Sequence, residues 1–135
     1  MKLLADSSAL LALVLRRDQN HLAAKEFVTK NPGARFVLTE LIVAEVVTRA
    51  RVWAGAATAV ALGRDLLHSR RYEVLFVDAE LVEGALEWME RYRDKRLSLT
   101  DCASFEVMER LGLDAAFTFD RDFRDCGLAT LPAGR

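Results

Sequence analysis

The chain alternates short, unbroken apolar blocks with longer stretches in which apolar residues recur every three or four positions. Lys2 to Ala5 is such a block, stopping at Asp6, and its length predicts a buried strand rather than a helix. Asp6, Ser7 or Ser8 can then cap a helix running to about Arg17. Asp18 and Asn20 break that pattern. His21 to Lys30 predicts a second short helix, closed by the turn residues Asn31-Pro32-Gly33. Arg35 to Leu38 reads as a second strand. Thr39 caps the helix after it, which carries Leu41, Ile42, Val46 and Val47 and ends near Gly55. Ala56 to Arg70 predicts a further helix with Ala57, Val60, Ala61 and Leu67 along or near one stripe. Tyr72 to Val77 is β-branched and aromatic enough for a strand, and Asp78 caps a helix from about Ala79 to Tyr92. Ser98 and Asp101 stand three apart, as in a capping box, and open a helix that Gly112 ends. Ala115 to Phe119 is a strand reaching Asp120. A short turn or helix around Phe123 and a last strand, Leu128 to Leu131, complete the chain.

Strand and helix thus alternate, and the strands are short and apolar, the pattern expected when helices cover both faces of a parallel sheet. No repeat, low-complexity tract or linker divides the 135 residues, so one domain spanning 1–135 is expected. A hydrophobic content of 52% with 29% charged residues describes a folded chain rather than a disordered one. Nineteen basic residues face twenty acids, a formal charge of -1. The sum lacks the basic excess of many nucleic-acid-binding domains, but is compatible with an acidic pocket flanked by basic surface. Lysine occurs only at positions 2, 25, 30 and 95, and the arginines that make up the rest suit bidentate contact with phosphate. Cys102 and Cys126 lie in no ligand-spaced cluster and fit a reduced chain. The apolar opening is interrupted by Asp6 and followed by Arg16-Arg17, unlike a signal peptide. No run reaches the ~18 apolar residues of a membrane span. A cytoplasmic protein without a membrane partner is expected.

The chemistry is carried by acids. Asp6 and Asp120 each follow an apolar strand directly, and sites in open parallel sheets gather at the carboxyl ends of strands. Asp101 starts a helix, and Glu45 lies early in a helix that itself follows a strand. All four can face one sheet edge. Like charges repel, so such a cluster is costly, and a hard cation such as Mg2+, which prefers carboxylate and water oxygens, removes the cost. A bound cation also lowers the pKa of its water and polarises a phosphoryl oxygen, as phosphodiester hydrolysis requires. Each acid has a plainer alternative. Asp6 can be a helix cap, Glu45 an i,i+4 partner of Arg49, Asp101 the capping-box acid, and Asp120 a turn residue beside Asp122. Glu45 fits its plain alternative least well, because Ile42, Val43, Ala44, Val46 and Val47 surround it.

Four segments resemble one known family. Leu3-Leu4-Ala5-Asp6-Ser7-Ser8-Ala9-Leu10 is similar to the first strand of PIN-domain nucleases, especially the VapC toxins of toxin–antitoxin pairs. Thr39-Glu40-Leu41-Ile42-Val43-Ala44-Glu45 resembles the second acidic segment of that family. The run from Asp94 to Phe105, with Asp101, resembles the third, and Phe117-Thr118-Phe119-Asp120-Arg121-Asp122-Phe123 the fourth. The resemblance implies a three-layer α/β/α sandwich with a central, mainly parallel sheet. It implies an endoribonuclease dependent on Mg2+, for which Mn2+ can substitute, with Asp6 and Asp101 on the cation and Glu45 and Asp120 completing its shell. It also implies RNA as substrate, a cognate antitoxin, a homodimer, and operator DNA bound only through the antitoxin.

Ser7 and Thr100 are secondary candidates to hydrogen-bond the acids or a phosphate oxygen, with helix capping as the alternative, and Asp122 is a secondary acid. Arg16, Arg17, Arg49, Arg51, Arg91, Arg93, Arg96 and Arg121 form the pool from which RNA contacts would come. Trp53 and Trp88 can stack on bases, but their apolar neighbours favour packing in the core or a dimer interface. Phe105, Val107, Met108 and Leu111 read as core-facing companions of Cys102. His21 and His68 stand apart from the acid segments. A non-toxin PIN nuclease and a catalytically silent PIN-like binding protein remain as alternatives. An aspartate-nucleophile phosphatase needs a second Asp where Ser8 stands, and a receiver-like domain needs a late strand-end lysine that is absent.

Overall fold

The computed structural model describes residues 1–133; the last two residues of the expected domain lie outside that range. Five strands form one sheet: β1 (Lys2–Ala5), β2 (Arg35–Thr39), β3 (Tyr72–Leu75), β4 (Ala116–Phe117) and β5 (Thr130–Leu131). Their order is β3-β2-β1-β4-β5, and every neighbouring pair is parallel. The helices are α1 (Ser7–Val14), α2 (His21–Lys30), α3 (Glu40–Ala54), α4 (Ala56–His68), α5 (Ala79–Arg91), α6 (Leu99–Leu111) and α7 (Asp122–Asp125).

Side-chain alternation along the strands divides the core in two. Leu3 and Ala5 of β1, Phe36 and Leu38 of β2 and Phe117 of β4 point to the layer that holds buried residues of α1 to α4. Leu4, Val37 and Ala116 point the other way, to α5, α6 and α7. The chain is therefore a three-layer α/β/α sandwich around a parallel sheet, as the resemblance implies. β1 lies in the middle of the sheet with both edges paired, so Asp6 emerges at the centre of its carboxyl end. The expected caps are present: Thr39 on α3, Asp78 on α5, and the reciprocal Ser98–Asp101 box on α6. Gly112 closes α6 in the left-handed region, at φ 62°.

Several boundaries differ from the sequence reading, each for a local reason. Helix α1 stops at Val14 instead of about Arg17. Asp18 turns the chain there, accepting from the Asn20 backbone N–H through Oδ1 at 2.8 Å and from the His21 N–H through its carbonyl. Strand β3 ends at Leu75 because the Val77 N–H is taken by the Glu40 carboxylate, at 2.9 Å from each oxygen. Strand β4 is shorter than Ala115–Phe119, since the Phe119 and Asp120 N–H groups donate to the hydroxyls of Ser8 and Thr118. Strand β5 covers only Thr130–Leu131, and Pro132, which has no N–H, follows it.

The buried face of α4 also differs. Ala59, Leu62 and Leu66 face the core, while Ala57, Val60, Ala61 and Leu67, the stripe expected from sequence, are exposed. The helix is apolar on two sides, and packing on α3 selects the side whose Gly63 lets Val47 approach. Leu111, expected in the core, is exposed at the last turn of α6. Among the described residues no helix is long and apolar enough to cross a membrane.

Phe117 connects the layer under α1 to α4 with the strand that carries the site. It stacks on Phe27 at 5.0 Å and packs against Phe36 at 5.4 Å, fully buried. Phe117→Ala is expected to lower unfolding stability by about 3–5 kcal/mol, measurable by urea denaturation.

Candidate functional site

The carboxyl ends of β1 and β4 lie side by side, with Asp6 following one and Thr118 the other. Asp6 caps α1 and is 2% exposed. Its Oδ2 accepts from the hydroxyls of Ser8 and Thr118, each at 2.8 Å. These hydroxyls are themselves held as acceptors, Ser8 by the Phe119 N–H at 2.9 Å and Thr118 by the Asp120 N–H at 3.0 Å. Oδ1 is equally buried and has no hydrogen-bond partner among the described residues. A buried carboxylate oxygen left bare is expensive, so this atom is available to a ligand.

Asp101, in the first turn of α6, Asp120, just after β4, and Asp122, at the start of α7, each offer a carboxylate oxygen within 4.8 Å of the other two. Asp120 Oδ1 accepts the Asp122 backbone N–H at 2.9 Å, which fixes their spacing. Thr118 bonds both the Asp6 carboxylate and the Asp120 N–H, joining Asp6 to this trio. The groups also interact electrostatically. Burial pushes the Asp101 carboxyl up to about 6, with the charges of Asp6 and Asp120 adding to it and the Ser98 hydroxyl opposing. Burial likewise raises Asp6, against the hydrogen bonds of Ser8 and Thr118. Asp122 is raised by burial and then by Asp120 and Asp125.

Glu45 stands at one remove. The Ser7 hydroxyl donates to its Oε1 at 2.7 Å, and Arg49 Nη2 lies 3.8 Å from the same oxygen. Ser7 adjoins Asp6 in the chain, so Glu45 is tied to the site through α1 rather than through the cluster of three acids. The four plain alternatives raised by the sequence are thus present beside the cluster: Asp6 caps α1, Glu45 meets Arg49, Asp101 is the capping-box acid, and Asp120 accepts the Asp122 N–H in a turn. Asp122, a secondary candidate, is a full member of the cluster. Thr100 lies in the first turn of α6 and makes no hydrogen bond to the acids among the described residues. The sequence offered Ser8 only as a possible helix cap and did not single out Thr118. Their signal was present in Asp6-Ser7-Ser8 and Thr118-Phe119-Asp120, where a hydroxyl stands two residues from each strand-end acid. Cys102 is buried, and burial with the neighbouring Asp101 charge raises its thiol to about 11, which disqualifies it as a nucleophile. Trp88 is core, as expected, but Trp53 is 75% exposed. His21 bonds the Ala12 carbonyl, away from the acids.

An acid cluster at the carboxyl edge of a parallel α/β/α sheet defines the class of fold and site. The family model described as the PIN domain matches residues 3–127. A 23S rRNA-specific endonuclease, VapC20 of Mycobacterium tuberculosis, is 32% identical over 122 residues, covering 90% of this chain and 92% of that protein. The crystal structure of Mycobacterium tuberculosis VapC20, described as a sarcin-ricin loop cleaving toxin, superposes with a TM-score of 0.87 at 30% identity, covering 94% of this chain and 96% of that one. VapBC2 from Rickettsia felis, bound to a DNA fragment from its promoter, shares the fold at a TM-score of 0.67 and 13% identity over 96% of this chain and 97% of that one. The chain belongs to the PIN-domain family, in its VapC toxin branch.

The raised carboxyls have a defined effect on stability. Without bound cation, the folded state holds protons that the unfolded chain releases near the ordinary value of 3.8. The folded state is then favoured below about 3.8, and this contribution is lost as pH rises towards about 6. Urea unfolding in EDTA between pH 4 and 7 is expected to show stability falling with pH, and Asp101→Asn to flatten that slope. Thr118→Val removes a donor to Asp6 and an acceptor for the Asp120 N–H. It is expected to cost about 1–3 kcal/mol, with Thr118→Ser retaining most of the stability in the same assay.

Proposed function

We propose that this chain is a Mg2+-dependent endoribonuclease, the toxin of a toxin–antitoxin pair, with Mn2+ able to substitute. The observation that carries the reading is the bare, buried Oδ1 of Asp6 beside the cluster of Asp101, Asp120 and Asp122. A carboxylate oxygen without a partner among the described residues, next to Asp101 and Asp122, both raised by burial and by neighbouring carboxylates, fits a divalent cation with oxygen ligands. Asp6 and Asp101 would hold the cation directly. Asp120 and Glu45 would complete the shell through water, with Asp122 added to them by its place in the cluster. When bound, the cation supplies Lewis acidity towards a phosphoryl oxygen and makes water acidic enough to attack near neutral pH.

The residues of the chain do the positioning. Ser8 and Thr118 fix the Asp6 carboxylate through Oδ2, so Oδ1 keeps one orientation. Ser7 holds Oε1 of Glu45, leaving Oε2 to take a proton from water. The Ser98 box fixes the start of α6 and with it the Asp101 backbone. Water would attack in line at phosphorus and leave a 5′-phosphate and a 3′-hydroxyl.

The similarity to VapC20 over nearly the whole chain supports large-subunit ribosomal RNA as the substrate, at a sarcin-ricin-type loop. The VapC branch supports a cognate antitoxin as partner, with operator DNA reached through it, a homodimer, and a cytoplasmic location. The test is cleavage of 23S ribosomal RNA and of a sarcin-ricin loop oligonucleotide by antitoxin-free protein. With Mg2+ or Mn2+, cleavage is expected and EDTA abolishes it. Asp6→Asn and Asp101→Asn are each expected to lower the rate by at least about a hundredfold. Persistent cleavage in both variants, or in excess EDTA, rules the mechanism out.

A further inference from the structure

A groove of about 660 Å3 opens along α1 and α3, with Leu11 and Leu15 on its apolar side and Arg16, Arg17, Arg49 and Trp53 around it. Glu45, Arg49 and Trp53 stand at i, i+4 and i+8 on α3, so they form one stripe running into the groove from Glu45, which Ser7 ties to the segment that carries Asp6. The stripe is about 12 Å long at 1.5 Å per residue, a length that one or two nucleotides of extended RNA can span. Trp53 is 75% exposed although its ring is the largest apolar surface α3 offers. Arg16 and Arg17 are exposed and meet no acid among the described residues. Asp18, the acid in the groove, spends Oδ1 on the Asn20 N–H. In a chain of formal charge -1 this gathers three guanidiniums and one open indole in one groove, with Arg49 3.8 Å from Glu45.

We propose that this groove seats the nucleotides flanking the scissile phosphate, with Trp53 stacking on a base and Arg16, Arg17 and Arg49 on the phosphates. The inference rests on the ribonuclease reading and deepens it. The acid site alone repels a polyanion, so phosphates beside the cleaved one need positive charge close by. Arg49 sits one helical turn from Glu45, where the next phosphate would arrive. An open aromatic face takes any base, because stacking needs no hydrogen-bond code. An acidic peptide would also meet the arginines. Continuity of the stripe with the site that cuts favours RNA.

The chain has two tryptophans. Trp88 is buried against Phe105 and Tyr92, so a ligand in the groove reports through Trp53. A single-stranded RNA of about twelve nucleotides, titrated in EDTA so that nothing is cut, is expected to quench the wild-type emission. By fluorescence anisotropy of a 5′-labelled copy of the same RNA, Trp53→Ala is expected to weaken binding at least about tenfold and Trp53→Phe to restore most of it. Arg16→Gln with Arg17→Gln is expected to make the slope of log K against log salt shallower by roughly 1.4, at about 0.7 per phosphate contact on a single strand. Thermal melting run on each variant must match the wild type. Hydrolysis of bis(p-nitrophenyl) phosphate with Mn2+, which has no flanking nucleotides, is expected to stay at the wild-type rate in the Trp53 variants.

If the variants bind and cut RNA like wild type while wild type cleaves normally, the groove assignment fails and the nuclease reading stands. If RNA binds with the expected Trp53 and arginine dependence but no metal supports cleavage, the groove stands and the nuclease reading fails. Two other outcomes overturn the groove assignment. One is loss of a cognate antitoxin peptide with RNA affinity unchanged. The other is a shift in dimerisation, by analytical ultracentrifugation, with RNA affinity unchanged.

Discussion

Two hydroxyls on one carboxylate oxygen organise this molecule. Ser8 and Thr118, from opposite ends of the chain, both donate to Oδ2 of Asp6, a pairing across 112 residues in the case of Thr118. Each hydroxyl also accepts a backbone N–H from the segment after β4. The same bonds that hold the acid therefore end the strand and aim Asp120 and Asp122 at Asp101. Removing any one of them disturbs both the sheet edge and the cluster, because buried polar groups in a network lose their partners together.

The acids serve the fold and the site at once. Asp6 caps α1, Asp101 closes the capping box of α6, and Asp120 accepts an N–H at the start of α7. Capping places a carboxylate at the positive end of a helix dipole, which offsets part of the repulsion that bringing acids together creates. It does not offset all of it, since Asp6, Asp101 and Asp122 remain raised by burial first and then by neighbouring carboxylates, Asp120 among them in each case. The unspent part of that free energy is what a cation would relieve.

Charge is arranged asymmetrically around this edge. The cluster itself is acidic and half-buried, whereas the stripe leading away along α3 turns from Glu45 to Arg49 to an open indole within two turns. A chain with almost no net charge can thus present opposite potentials a few ångströms apart.

Periodicity, length and capping residues were enough to place most elements, because these are local properties. Thr39, Asp78, Ser98 and Gly112 act where the sequence positions them. The alternation of short apolar blocks with helices implied a covered parallel sheet, and the strand-end positions of Asp6 and Asp120 pointed to one edge. Other features depended on contacts distant in sequence. α4 carries two apolar faces, and only packing on α3 decided that Ala59, Leu62 and Leu66 would be buried while Val60 and Leu67 stayed in solvent. Strand β4 was cut short by the hydroxyl of Ser8, more than a hundred residues away. Glu45 lay in an acidic segment of the right kind, yet folding attached it to Ser7 and left Asp122 to complete the cluster. Hydrogen bonds between distant segments have no signature in local sequence, so the residue types at the site were legible beforehand, whereas their assembly was decided by the tertiary structure.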